Sequence, residues 1–541
     1  MNHKLRWLLP VLCALAISTT MTSDRGKYFE IAKNIEVFTN LYKELNTYYV
    51  DDLDPSAVMR TGLDAMLGNL DPYTNYISES EIEGYRFLTE GRYRGIGARL
   101  EMVDGKVTLI ERYAESPAAK AGLQVGDRLI AVDGQSAVGK SVDEVSAILK
   151  GYPGTGVELT LERPGTKAPV KTTLIRDEVS IENVPYNGMV ADGIGYVALT
   201  TFTRQAGKNV GEAVQKMKEE NPDLKGIVFD LRDNGGGLLT EAVNVSNVFI
   251  PKGEMVVSTR GKVKDWDRSF KTLNAPVDQE IPLIVLINNN SASASEIVSG
   301  VIQDYDRGVL VGQRSYGKGL VQNTRDVGYN SKIKLTTAKY YIPSGRCIQS
   351  VEYENGEPVD IADEKRAKFE TANGRTVLDG GGVKPDVVVD KDKGSEILKT
   401  LQDDYIVFDF VTQWALDHET IPSVEEFQFT DWANFVSYLK KRDFKYDTES
   451  ERLLEKLREE SQKSAYLTAA DVDAMEDKIE AAKKQDLETN REVIIDMIEK
   501  EIASRYYDER GKVRMGLRND PEVELAIELI NDPKRYRGIL D

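Results

Sequence analysis

At 541 residues the chain is too long for one core, and about three or four domains is what such a length supports. Its 41% hydrophobic and 29% charged residues are ordinary for a water-soluble globular protein. Lys and Arg number 70 against 89 Asp and Glu, a net charge of −19 that excludes a nucleic-acid partner because the phosphate backbone would be repelled.

Residues 1–20 read as an export signal. Lys4 and Arg6 precede the apolar run Trp7 to Ile17, and Ala14-Leu15-Ala16 offers an A-x-A cleavage pattern. An uncleaved N-terminal anchor is the alternative, although the run is short for a membrane span. Cys13 follows Leu12, not the small residue of a lipoprotein signal. The expected location is therefore outside the cytoplasm, in a periplasm, or on the inner membrane if the signal stays uncut. With the signal removed Cys347 is the sole cysteine, so the mature chain forms no internal disulfide and stability must come from cores.

Residues 24–90 read as an N-terminal helical region. Ile31, Ile35, Phe38 and Leu41-Tyr42 recur at helical spacing, as do Val58, Leu63 and Met66-Leu67, and Asp71-Pro72 breaks the second helix. We expect these helices to serve packing.

Residues 91–176 change character. Short strands, Lys106 to Ile110 and Val157 to Leu161, are separated by glycine-marked turns. Ser116 to Leu123 reads as a short helix with Pro117 near its start and Gly122 at its end, and Gly126 to Gly134 as a turn feeding a buried strand. The whole stretch resembles a PDZ domain. That resemblance places a carboxylate-binding loop at Arg94-Gly95-Ile96-Gly97-Ala98. Its glycines let the N–H groups of Gly95, Ile96, Gly97 and Ala98 turn inward, and the strand edge beyond accepts an extended peptide.

Residues 177–395 carry an α/β signature. Ile194 to Leu199, Gly226 to Leu231, Pro282 to Ile287 and Gly308 to Val311 are short apolar runs, with helical stretches such as Val210 to Lys218 and Glu296 to Gln303 between them. Residues 396–541 are charged and helical, with apolar stripes at Ile494, Met497-Ile498 and Ile502 and at Leu453-Leu454 and Leu457. This last region packs on the body, mediates dimerisation or caps the fold; the sequence leaves all three open.

Chemistry concentrates in the α/β part. Ser293 follows a buried strand and precedes a helix, which exposes its hydroxyl and aims the Ala294 N–H into the same space near the positive helix end. Ser295 could instead cap that helix. The chain has only two histidines, His3 and His418, so a serine nucleophile has little access to an imidazole base. Lys318, in the apolar Tyr316-Gly317-Lys318-Gly319-Leu320-Val321, is the available substitute. A lysine serves as a base only when neutral, which needs burial or a nearby positive charge to lower its pKa from about 10.4. Gln322 could accept a hydrogen bond from the amine and hold it. The run Asp230-Leu231-Arg232-Asp233-Asn234-Gly235-Gly236-Gly237 reads as a flexible turn, as a phosphate loop lacking its G-K-[ST], or as an oxyanion loop in which the Gly236 N–H faces the reacting carbonyl.

The order PDZ, D-L-R-x-N-x-G-G-L-L, S-A-S-A-S-E, Y-G-K-G-x-V-Q resembles the carboxyl-terminal processing peptidases of the S41 serine protease class, over roughly Tyr28 to Val389. The resemblance implies Ser293 as nucleophile, Lys318 as base, Gln322 beside it, and Gly236 and Ala294 as oxyanion donors. Ala338 to Arg346 and Gly382 to Asp386 also match the family pattern. Gly235 stands where the family usually has proline, Tyr73 where histidine is common, and residues 350–379 form an insertion. The implied fold is multidomain α/β: a crotonase-like protease core with an inserted PDZ domain, flanked by N- and C-terminal helical regions. The implied activity is that of an exported serine endopeptidase needing no metal or organic cofactor. Its partners would be protein or peptide substrates with free, apolar C-termini, with a homo-oligomer or an adaptor protein left open. A PDZ scaffold with a dead site, a small-ligand carrier and a protease awaiting a partner are the rivals.

Overall fold

The computed structural model describes residues 5–349, 353–354, 357–358, 362–390, 395–461 and 468–541. The chain divides into two units, Met1–Tyr76 with Thr324–Leu335, and Ile77–Asn323 with Thr336–Asp541.

In the first unit, α1 spans Leu5–Tyr48 and takes in the expected signal run. The second helix, α2 (Pro55–Gly68), starts where it does because Asp54 accepts the N–H groups of Ser56 and Ala57, and Pro55 lacks an N–H to leave orphaned. The helices match the sequence expectation, but their packing does not. Ile31, Ile35 and Leu41 of α1 are exposed (48%, 62% and 56%), and Leu67 is the buried member of the α2 stripe. Helical periodicity marks a face; it does not say that the same unit covers it. No helix among the described residues is long and apolar enough to cross a membrane.

The second unit opens with the helix Ile82–Glu90 and continues into the PDZ module. Strands β1 (Ala98–Val103), β2 (Lys106–Arg112), β3 (Arg128–Val132), β4 (Gly156–Glu162) and β5 (Val170–Ile175) form an antiparallel meander in chain order, leaving β1 at an edge. Helix α3 (Val142–Leu149) begins with a capping box, Ser141 with Glu144, and buries Val145 and Leu149 beneath the sheet with Leu109, Leu159 and Leu161. Outside the meander, Arg92–Gly95 pairs antiparallel with Asp177–Ser180.

Strands β6 (Tyr186–Ala191), β7 (Ile194–Ala198), β8 (Gly226–Asp230), β9 (Leu283–Ile287), β10 (Val309–Gly312) and β11 (Val387–Val388) lie side by side in that order. The first pair is antiparallel and the rest are parallel. Alternate residues of β9 serve opposite faces. Leu283, Val285 and Ile287 join the core under α4 (Ala206–Glu220), α5 (Leu239–Phe249) and α6 (Ala294–Asp304), whereas Ile284 and Leu286 face Val523, Ala526, Leu529 and Ile530 of α7 (Pro521–Asn531). This two-sided burial is why the strand reads as an unbroken apolar run.

The C-terminal residues therefore do two things. Helices between Glu396 and Gly516 make a core of their own around Phe410, Phe435, Ile494, Ile498 and Ile502, while α7 covers the second face of the six-stranded sheet. Packing on the body is thus the role seen. The Leu453-Leu454-Leu457 stripe is largely exposed, Leu454 alone being buried. The expected insertion at 350–379 lies partly outside the described residues; within it, Lys368–Glu370 pairs with Thr376–Leu378.

Candidate active site

Ser293 stands at the first turn of α6 with φ 57° and ψ −110°, a backbone conformation that L-residues rarely adopt. Its neighbours hold it there. Ser291 and Ser295 are fully buried, and their hydroxyls donate to Leu231 O and Asn234 O, both at 2.8 Å. Ser295 is thus not the cap, and half-buried Ser293 is the serine of the three that reaches the surface. The Ala292 N–H donates to Asn234 O (3.0 Å), so the serine loop is stitched to the loop after β8.

Glu296 occupies the centre of the site and is fully buried. Its Oε2 accepts the N–H groups of Ser293 and Lys318, each at 2.8 Å; Oε1 accepts the Ser315 hydroxyl (2.5 Å) and the Gly317 N–H (2.7 Å). Burial pushes this carboxyl above the ordinary glutamate range, and the four donors pull the other way. On the opposite side the Tyr340 hydroxyl lies between the carbonyls of Ser293 (3.1 Å) and Lys318. Tyr340 is 1% exposed, and its strand is fixed by pairing with Met255–Gly261. One carboxylate and one phenol thereby bind the backbones of Ser293 and Lys318 to each other. The sequence reading missed both. The signal was an acid in the first turn of a helix otherwise buried along its length.

The remaining expected residues fall as follows. Lys318 is half-buried. Gln322 donates to Thr336 Oγ1 (3.3 Å). Gly236 (φ 98°) lies against Ser293: a Cβ there would lie 2.7 Å from Ala292 O, 2.8 Å from Ser293 Cβ and 2.9 Å from Ala294 N. Its N–H, expected to face a reacting carbonyl, donates instead to Asn234 Oδ1 at 2.9 Å. Asn234 is fully buried and spends its amide N–H on Leu199 O (2.7 Å), so its side chain closes the turn that the glycines make flexible. Among the described residues no acceptor meets the Gly237 or Ala294 N–H. His418 stacks on Trp414 in the C-terminal region, its Nδ1 2.7 Å from Trp414 O.

In the PDZ module Ile96 is buried, and Gly97 adopts φ 79° against Ser116, whose hydroxyl donates to Gly97 O (3.0 Å). A Cβ on Gly97 would fall 2.2 Å from Ser116 Cβ. Gly95 ends the strand paired with Asp177–Ser180. The Ala98 N–H at the head of β1 donates to the Tyr93 hydroxyl (3.1 Å), and burial pushes that phenol up to about 12.

A strand-to-helix serine and a lysine that share the Glu296 carboxylate, beside a PDZ-like module, are the arrangement a serine-type peptidase requires, and the comparisons place the chain in that class. Three family models match the chain: peptidase family S41 over residues 193–356, a PDZ domain over 110–163, and the C-terminal helical domain of probable PDZ-proteases over 397–530. A carboxy-terminal-processing protease of Bartonella bacilliformis is 35% identical over 342 residues, 63% of this chain and 77% of the relative. The carboxy-terminal processing protease CtpB of Bacillus subtilis is 30% identical over 336 residues, 62% of this chain and 68% of that protein. Among solved structures, a photosystem II D1 C-terminal processing protease matches with 26% identity over 65% of this chain and 92% of its own, at a TM-score of 0.36. The chain belongs to peptidase family S41, among the carboxy-terminal processing serine proteases.

Proposed function

We propose that this S41 protease is an exported endopeptidase with a Ser293–Lys318 dyad that captures substrate C-termini on its PDZ domain and cuts near them. The observation that carries the reading is the shared Glu296 carboxylate, which ties the Ser293 and Lys318 backbones at 2.8 Å each. Ser293 Oγ attacks the scissile carbonyl carbon while the Lys318 amine takes the hydroxyl proton. The Ala294 N–H receives the developing oxyanion at the positive end of α6. The glycine run supplies the second donor, from Gly236 on release of its bond to Asn234 or from the neighbouring Gly237. As the tetrahedral intermediate collapses, the Lys318 ammonium returns its proton to the leaving amine, and an acyl-Ser293 ester remains. Water deprotonated by Lys318 then hydrolyses that ester, releasing a carboxylate and restoring the serine. Gln322, now bonded to Thr336, is read as the group that orients the lysine amine.

Edge strand β1 and the loop Gly95 to Ala98 suit an extended peptide that ends in a free carboxylate. Residues 1–20 are read as the export signal, and intact mass of the secreted chain checks this. A second reading, activity only after substrate or a partner rearranges a resting site, is favoured by the Gly236 N–H being already spent on Asn234.

Mass spectrometry of an unfolded test protein with an apolar C-terminus, incubated with the enzyme or with Ser293→Ala, tests the proposal. Cleavage by the first alone supports the dyad, and loss of cleavage on amidating the terminus supports carboxylate capture. No cleavage by either protein sinks constitutive peptidase activity.

A further inference from the structure

Helix α7 comes from the C-terminal helical region, yet its first turn reaches both loops of the candidate site. Glu522 is 7% exposed. Its Oε2 accepts Arg232 Nη1 at 2.7 Å, and its Oε1 accepts Gln313 Nε2 at 2.6 Å. Arg232 leads into the glycine run at Gly235 to Gly237, and Gln313 opens the segment that runs through Ser315, a donor to Glu296, to Lys318. We propose that Glu522 is a positioning residue for the peptidase reaction: it sets the oxyanion loop and the Lys318 segment relative to each other, which makes the C-terminal helical region part of the catalytic apparatus. The proposal rests on the Ser293–Lys318 reading.

Three features make Glu522 a fixed reference point. Asp520 caps the helix by accepting the Glu522 and Val523 N–H groups (3.0 and 3.2 Å), which sets where the helix starts. Val523, Ala526, Leu529 and Ile530 are buried on the outer face of the sheet, which sets its height. Arg232 is gripped on its other edge by Asp230 (3.0 and 2.6 Å) and at Nη1 by Asp520 (2.7 Å), while the Tyr196 hydroxyl donates to Asp230 at 2.6 Å.

The three acids around Arg232 are not equivalent. Asp230 sits on the same strand end as Arg232, and Asp520 bonds to Arg232 but not to Gln313 among the described contacts. Glu522 alone of the three touches both segments. Removing it leaves Arg232 two carboxylates, so the charge stays compensated, but breaks the link to Gln313. The expected fault is therefore geometric. A displacement of about 1 Å in catalytic groups costs on the order of 10²-fold in rate even when its origin is remote.

The test compares full-length wild type, Glu522→Ala and Glu522→Gln, with Ser293→Ala as the zero. Three quantities are read: the rate at which a fluorophosphonate probe labels Ser293, kcat and KM on a quenched peptide with a free apolar C-terminus, and Tm. Glu522→Ala should slow labelling and kcat by about 10- to 100-fold with KM held within about 2-fold. Glu522→Gln keeps one acceptor oxygen for Arg232, while its NH2 can meet Gln313 only if that amide flips to present Oε1, so the variant should recover part of the rate and fall between Glu522→Ala and wild type. Unchanged labelling and kcat per folded molecule, with only Tm lowered, would overturn the proposal and leave Glu522 a stabilising contact. If Glu522→Ala does not fold, Gln313→Ala severs the same link from the other side. A slowed Gln313→Ala supports the proposal, and a wild-type rate overturns it. A wild type that is itself silent to probe and peptide sinks the constitutive Ser293–Lys318 reading and this inference with it, an outcome that a failure of the inference alone does not produce.

Discussion

Ser293 and Lys318 share one acceptor: both backbone N–H groups donate to Glu296 Oε2 at 2.8 Å, across 25 positions of chain. The position of Lys318 relative to Ser293 is thus held by backbone, with the Tyr340 hydroxyl closing the tie from the other side.

Glu296→Gln should be severe despite its matching shape. An amide offers one acceptor oxygen where four donors now meet two, so at least one pair of buried donors faces an NH2 group. At about 1–3 kcal/mol per orphaned group, a loss of roughly 2–6 kcal/mol in stability follows, with kcat falling further than KM rises. Urea unfolding and steady-state kinetics on the same preparation read both; a variant with wild-type values in each would refute the role.

Gly236→Ala should abolish turnover while leaving the PDZ module able to bind peptide. The added Cβ would meet Ala292 O at 2.7 Å and Ser293 Cβ at 2.8 Å, in a residue whose φ of 98° already disfavours any side chain. Kinetic loss of at least about 10²-fold is expected, the scale of losing one oxyanion donor. Peptide binding measured by fluorescence anisotropy should stay at the wild-type value.

Tyr93→Phe should tighten binding of peptides with a free C-terminus. The phenol now accepts the Ala98 N–H (3.1 Å), which a carboxylate in the loop would need for itself. Releasing a bond of typical net worth predicts about a 3- to 10-fold gain in affinity by calorimetry, and no change for an amidated peptide. Weaker carboxylate binding would mean that the hydroxyl donates to the ligand.

Asp278→Asn should flatten the acid limb of the stability profile. Burial opposes ionisation of Asp278, but the Lys218 ammonium at 2.6 Å and the N–H groups of Ile281 and Glu280 outweigh it and hold the carboxyl below its ordinary value of 3.8. A depressed folded-state pKa contributes stability that is complete above the unfolded value and lost as pH falls through the folded one. The gap in unfolding free energy between wild type and variant should hold constant above about pH 5 and narrow below it.

Much of the architecture was legible from periodicity. The four apolar runs at Ile194, Gly226, Pro282 and Gly308 became parallel strands of the central sheet, and Ile494, Ile498 and Ile502 became a buried stripe. The same reasoning failed at Ile31, Ile35 and Leu41, which repeat helically and yet lie exposed. A local pattern names a face but not its cover. Gly236 shows the matching limit at atomic scale: a glycine run announces a turn, and the Asn234 side chain decides where the N–H points.

What the sequence by itself determined is what neighbours along the chain can set. It determined the strand that feeds a helix start, the serine at that junction, and the turn that must be glycine. What only the tertiary structure decided lies between distant segments: Glu296 joining Ser293 to Lys318, Tyr340 bridging their carbonyls, and Glu522 reaching Arg232 and Gln313 from the C-terminal region. The physical reason is directional bonding. A hydrogen bond forms only when donor and acceptor arrive within about 3 Å at the right angle, and no periodicity encodes which far-off residues the packed sheet will bring there.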